Sequence, residues 1–200
     1  HTYPILSHTE IIPIHAAHNR ILAEDVFSMV DNPPFDNSSI DGWAVLSSDD
    51  PKKRIETTPT FAGDAPPPPL EQNQAIRIMT GAPVPPNADA LVMVEDGIHG
   101  PAHPNFIRKK GENIQKGVVA LSKNSILTPA SLALIASIGH ASVSVFSKPT
   151  ISIIPTGDEL VSPGEKLEPG QIYESNSISL AALVSRAGGT PSISKPINDD

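Results

Sequence analysis

Cysteine is absent from the 200 residues, so the chain can hold no disulfide, no thiolate metal site and no thiol nucleophile, a composition that fits the cytosol. Positive charge is scarce. Fourteen Lys and Arg stand against 22 Asp and Glu, a net charge of −8, whereas neutralising nucleic-acid phosphates calls for clustered bases. Small molecules or metal ions match this chain better. No apolar run approaches the ~20 residues of a membrane helix, and the opening HTYPILSHTE has neither a basic n-region nor an apolar h-region. A soluble protein is expected, and a first residue of His rather than Met reads as a trimmed start. There is no GxSxG, Walker or Ser/His/Asp arrangement. Proline is the excess: 22 in 200 is about twice the usual ~5%. Proline cannot donate within a sheet interior, so edges, turns and rigid loops should be plentiful and the body β-rich.

Glu10 to Ser28 alternates apolar and polar residues, then gives a short helical patch and a strand-like AEDVF. From Asn32 to about Gly117, runs such as WAVL, AIRIM and ALVMVED are separated by Pro, Gly, Asn and Asp, which predicts a small β domain. Its least ordered parts are expected at Asp64 to Gln74, with four consecutive prolines, and at Gly97 to Asn105, because neither has a core-facing period. LTPASLALIASIGH predicts a helix with Thr128 as N-cap, Pro129 at N1 and Gly139 at C′. The strand ASVSVF follows. TISII, the loop PTGDEL, a helix capped by Asn176 and ending at Gly188–Gly189, and SISKPI then make one βαβ unit. One crossover cannot bury both faces of a parallel sheet, so an unfinished α/β domain is expected. The fold class is therefore mixed α/β and multidomain. It combines a small linker domain with a capped helix (1–27 plus 118–148), an inserted β-rich domain (28–117) and the opening βαβ of a doubly wound α/β domain (149–200), truncated.

Several stretches have residues suited to chemistry. Val30 to Val45 carries Asp31, Asp36 and Asp41, and carboxylates converging on one loop suit a hard cation or a water, although Asp, Asn and Ser also simply make turns. Asp41-Gly42 before a strand is its sharpest part. Thr80-Gly81 ends an alternating strand where amides and a hydroxyl can face phosphate; the alternative is a plain tight turn. Asp158 and Glu159 in PTGDEL follow a strand expected to be parallel, the edge where α/β sheets gather ligands. The basic run Arg108, Lys109, Lys110 beside Glu112 reads either as a solvated face or as a partner for an anion. The pairs His15/His18 and His99/His103 have metal-like spacing but no third ligand nearby.

Taken together, ILAEDV, PPFDNSSIDGWAV, FAG, RIMTGAPVP, ADALVMVED, IRKKGENI, TPASLALIASIG, PTGDELV and GQIYESNS resemble the molybdopterin molybdenumtransferases and the related C-terminal domain of gephyrin. That resemblance implies a cytoplasmic enzyme of molybdenum cofactor biosynthesis that inserts molybdate into adenylylated molybdopterin and releases AMP, with Mg2+. It further implies an elongated homodimer whose pocket lies between subunits, with neither nucleic acid nor membrane as partner. It places the acid of the DGYAV-like motif on Asp41, with Trp43 where Tyr is usual, the MTGA threonine on Thr80 and the TGDEL acid on Glu159 beside Asp158. These are the expected catalytic groups, Asp158 excepted; Asp158, Glu112, Asn113, Ser175 and Asn176 are expected to bind substrate. Asn113 stands where many members have Asp, which removes a charge and keeps an acceptor, and AHNR around Asn19 replaces a glycine-containing sequence. The family's glycine-rich GGxS-type loop, lysine-bearing segments and GNPV-type motif would lie past Asp200, so this piece alone is expected to be inactive. The competing reading is a non-catalytic binding or dimerisation module like the gephyrin domain.

Overall fold

The computed structural model describes residues 8–197. In chain order, strands β1 (Thr9–Pro13), β2 (Val26–Phe27), β3 (Asn37–Ser38), β4 (Gly42–Val45), β5 (Ile55–Thr60), β6 (Gln74–Ile78), β7 (Ala90–Met93), β8 (Ile107–Arg108) and β9 (Val119–Leu121) precede helix α1 (Pro129–Ser137). Strands β10 (Ser142–Phe146), β11 (Thr150–Ile153), β12 (Leu160–Val161) and β13 (Ile172–Tyr173) lead to helix α2 (Asn176–Arg186), and β14 (Thr190–Ile193) follows. The fold is mixed α/β, mostly strands, with two α-helices among the described residues. Two compact units divide it: the described parts of His1–Asp25, Ser122–Leu132 and Ala141–Asp200 form one, Val26–Leu121 with Ala133–His140 the other.

In the second unit, β5, β6, β4 and β7 lie in that order in one sheet, with β4 antiparallel to both neighbours and β5 parallel to β6. Alternation along the strands sends Ala44, Ile76, Ile78 and Leu91 to one face, where they pack with Leu70, Ala82, Val84 and Ile107. Val45, Ala75, Ala90 and Val92 cover the other face. β3 pairs with β8 and β2 with β9.

Two segments read as least ordered are held. Leu70, at the end of the proline run, is only 5% exposed, and both its backbone groups bond the Asn87 side chain (N–H to Oδ1, 2.7 Å; Nδ2 to the carbonyl, 2.9 Å). His103 exchanges both backbone bonds with Leu91, and Arg54 donates to the carbonyls of Ile98 and Gly100. Isolated anchors of this kind have no period, which is why pattern reading passes over them. The ALVMVED run also stops early as a strand, since Val94–Asp96 forms a 3-10 turn.

In the first unit β1 pairs antiparallel with β10, and the helical patch after β1 is one 3-10 turn, Ile14–Ala16. β11 and β14 pair in parallel around α2, the expected βαβ crossover, and β12 lies parallel to β13. Helix α1 starts as its sequence predicts: Pro129 is its first residue, the Thr128 hydroxyl accepts the Ser131 N–H at 3.2 Å, and Gly139 has φ +100°. Helix α2 does not. Asn176 is its first helical residue rather than its cap, and Ser175, at φ −123° and ψ −17°, makes no side-chain cap bond. Glu174 takes that role instead, through Ser177.

Candidate functional site

In the second unit the loop 36–41 is the pivot. The Ser38 N–H donates to the Ala82 carbonyl, its own carbonyl accepts the Gly81 N–H, and the Asp36 carbonyl accepts the Val84 N–H, so the loop is fastened along RIMTGAPVP. On its other side the Ser39 N–H donates to the Phe106 carbonyl and Asn37 pairs with Arg108. Three stretches far apart in sequence thus meet around one loop.

Asp41 ends that loop. Its Oδ1 accepts the Thr80 backbone N–H at 2.8 Å and the Thr80 hydroxyl at 3.0 Å. Those two bonds, the backbone one first, together with the positive charge of Arg77, hold the exposed Asp41 carboxyl below the usual carboxylate range. The anion seated at Thr80-Gly81 is therefore the protein's own. Of the two readings of Thr80-Gly81, the tight turn after the strand is the one formed, with the Gly81 and Ala82 amides engaged by the Ser38 and Met79 carbonyls. Gly42 is required by a close approach: a Cβ there would lie 1.9 Å from the Val92 carbonyl oxygen. Trp43, next along β4, lies under the Arg77 guanidinium at 4.5 Å and donates its indole N–H to Glu56 at 2.6 Å.

The basic run is a solvated face, as expected, and each of its charges is also paired with an acid. Lys109 Nζ meets Asp36 at 2.8 Å, Lys110 Nζ meets Asp31 at 3.3 Å, and Arg108 Nε donates to Glu112 at 2.9 Å. The backbone N–H groups of Lys110 and Lys116 add bonds to Asp36 and Asp31. The Lys116 N–H and then Lys110 lower the Asp31 carboxyl; for Asp36, burial pulls upward, and the bonds to Lys109 and Lys110 outweigh it. Glu112, lowered chiefly by Arg108, also accepts the Lys109 N–H. Asn113 accepts from Arg108 at 3.3 Å and donates to Asn32 at 3.0 Å. Glu112 and Asn113 are exposed, and their side-chain bonds to Arg108, Lys109 and Asn32 shape the loop on which substrate contact was expected.

The carboxylates of Val30 to Val45 do not converge on a cation, because each is already bonded to a lysine or to Thr80. Among the described residues no group of three or more His, Asp or Glu side chains is placed to hold a metal ion. His99 Nδ1 lies 2.7 Å from the Pro51 carbonyl, and His103 packs edge-on against Phe106.

In the first unit the PTGDEL turn follows β11, at the carboxyl end of a parallel strand. Gly157 has φ +146°, and a Cβ on it would lie 2.7 Å from Glu159 Oε2, so the Glu159 carboxylate folds back over that glycine. Asp158 sits in the same turn. The Glu159 carbonyl accepts the Ile172 N–H, and the parallel pairing of β12 with β13 then brings GQIYESNS alongside, with Ser175 and Asn176 where α2 begins. A hollow of about 220 Å3 beside them is lined by residues including Pro155, Ser162, Glu174, Ser177, Ser194 and Lys195. Sequence reasoning missed Glu174 and Arg77. An acid three residues before Ser177 was the available signal for Glu174; for Arg77 there was none, because its register with Trp43 is set only by the sheet.

The matches with known proteins follow the same motifs. Residues 1–139 match the family described as MoeA N-terminal region (domain I and II). The chain belongs to that family. Relatives of the MoeA group include a protein named molybdopterin molybdenumtransferase 2 from Mycobacterium tuberculosis, 41% identical over 94% of this chain and 51% of that protein. A molybdopterin molybdenumtransferase from Haemophilus influenzae is 37% identical over 92% of this chain and 48% of its own length. The crystal structure of a molybdopterin biosynthesis MoeA protein from Pyrococcus horikoshii superposes with a TM-score of 0.86 at 36% identity, covering 99% of this chain and 55% of that one. The chain thus spans about half the length of the curated relatives it matches.

Proposed function

We propose that the protein acts in molybdenum cofactor biosynthesis as a molybdopterin molybdenumtransferase, inserting molybdate into adenylylated molybdopterin with release of AMP. The observation that carries this reading is the Asp41–Thr80 contact, which joins the two family motifs FDNSSIDGWAV and RIMTGAPVP through one carboxylate. With Oδ1 bonded by Thr80, Oδ2 is the oxygen that accepts a hydrogen bond or proton from a ligand hydroxyl or a water. Thr80 fixes its direction. Glu159 supplies a second acid, while Asp158, Ser175 and Asn176 contact the substrate; Glu112 and Asn113 support the loop that carries Asp41. In this reading 28–117 is the inserted β-rich domain, 1–27 with 118–148 the linker domain, and 149–200 the start of the molybdopterin-binding domain. The protein works in the cytoplasm as a homodimer. No helix among the described residues is long and apolar enough to cross a membrane.

The resemblance also implies magnesium, and the donor set here does not fit a resident ion. Asp31 and Asp36 are paired with lysines and Asp41 Oδ1 with Thr80. Magnesium is commonly carried by substrate phosphates with one or two carboxylates, so it is assigned to the substrate and no step is derived through it.

The test is AMP release from adenylylated molybdopterin and molybdate by the native gene product and its Asp41→Ala variant. Loss of release with an unchanged circular-dichroism spectrum supports the assignment. Undiminished turnover would refute it, and a wild-type protein that binds the substrate without turnover would favour a binding module.

A further inference from the structure

Next to the Asp41–Thr80 contact, the sheet carries a stack that the roles above leave unused. Trp43 and Arg77 are register partners across β4 and β6, the guanidinium lies 4.5 Å from the indole centre, and the indole N–H is tied to Glu56 on β5. Arg77 Nη1 also donates to the carbonyl of Gly42, the residue after Asp41, at 3.3 Å. Only arginine combines a plane that stacks, a fork that donates in plane and a permanent charge. Asp41 is therefore gripped from two directions, its carboxylate by Thr80 and the chain just beyond it by Arg77. Thr80 and Arg77 belong to the same short stretch of RIMTGAPVP, so one segment sets both grips.

We propose that Arg77, held over the Trp43 ring, is a positioning residue of this site: it fixes the Gly42 carbonyl and thereby the direction in which Asp41 presents Oδ2 to an anionic ligand. Its charge, facing the same side, offsets the repulsion between the Asp41 carboxylate and a ligand phosphate. The proposal rests on the assignment of Asp41 made above. Lysine is no substitute, because a point charge on a flexible stem neither stacks nor holds one carbonyl in a fixed plane.

Two measurements test it. Trp43 is the one tryptophan of these 200 residues, so the emission of the native gene product, read as the difference from its Trp43→Phe variant, reports on the stack. Arg77→Lys and Arg77→Met are both expected to change the intensity or wavelength of Trp43 emission; emission unchanged in both overturns the stack. In the native gene product, Arg77→Lys is expected to lower kcat for AMP release by about 10- to 100-fold, the scale of a small misplacement at a reacting group. KM should change little, and the melting temperature should stay close to wild type. Wild-type kcat in Arg77→Lys overturns the proposal, as does a loss accounted for by unfolding alone; should Arg77→Met not fold, Arg77→Lys decides. If Asp41→Ala itself turns over normally, the underlying assignment fails and takes the proposal with it. That case is recognisable, because Trp43 emission still responds to Arg77 substitution.

Discussion

Glu174 accepts two hydrogen bonds from one residue, Ser177: from its backbone N–H at 2.8 Å and from its hydroxyl at 2.5 Å. Both residues are buried at the start of α2, where the amide dipoles favour negative charge. The Ser177 hydroxyl first, and its N–H second, hold the Glu174 carboxyl below the ordinary glutamate range.

A depressed folded value gives a definite sign. The stabilisation is present above the unfolded glutamate value of about 4.3 and is lost as pH falls through the lowered folded value. Glu174→Gln removes the charge and one accepting oxygen, so the variant should melt below wild type at pH 7. The gap should narrow as the pH drops below about 4. Thermal melts from pH 7 to pH 3 read this directly, and a gap constant across that range would show that the charge contributes nothing.

Gly42→Ala should be severe. The added Cβ would meet the Val92 carbonyl oxygen at 1.9 Å, and backbone in a paired central strand cannot withdraw without breaking its ladder. Overpacking of this kind costs about 3 kcal/mol. Urea denaturation of the variant should show that loss, and a midpoint within error of wild type would mean that β4 and β7 are not so closely apposed.

Leu70→Ala should cost about 2–5 kcal/mol, as expected for a core leucine. Pro68→Ala, two residues earlier on the surface, should change stability by under about 1 kcal/mol. Paired chemical denaturation curves compare them. Equal, small effects would return this segment to the unanchored loop that its composition suggests.

What the sequence made legible was local. Thr128, Pro129 and Gly139 bracket α1 within a single turn at each end, so their pattern alone specified the helix. Asp41-Gly42 was visible as a turn before an alternating strand. Its partner was not, because Thr80 lies 39 residues away and nothing in either stretch encodes the pairing. The same distance hid the partners of the basic run: Lys109 and Asp36 are 73 residues apart, so a face that is solvated and also ion-paired shows only its charges on paper. Leu70 disappeared among prolines, one apolar residue without a period. At α2 the expected cap was wrong by two positions, since a long Glu side chain reaches Ser177 from outside the window where short caps are sought.

The pairing of Val26 with Leu121 across β2 and β9 has a consequence for the history of the chain. The backbone departs and returns at neighbouring points, so everything between is topologically an excursion. Its gain, loss or exchange leaves no gap to bridge between the flanking stretches, the condition under which modular replacement is tolerated. Variation in the length of that excursion can accumulate without disturbing the register of what comes before or after it.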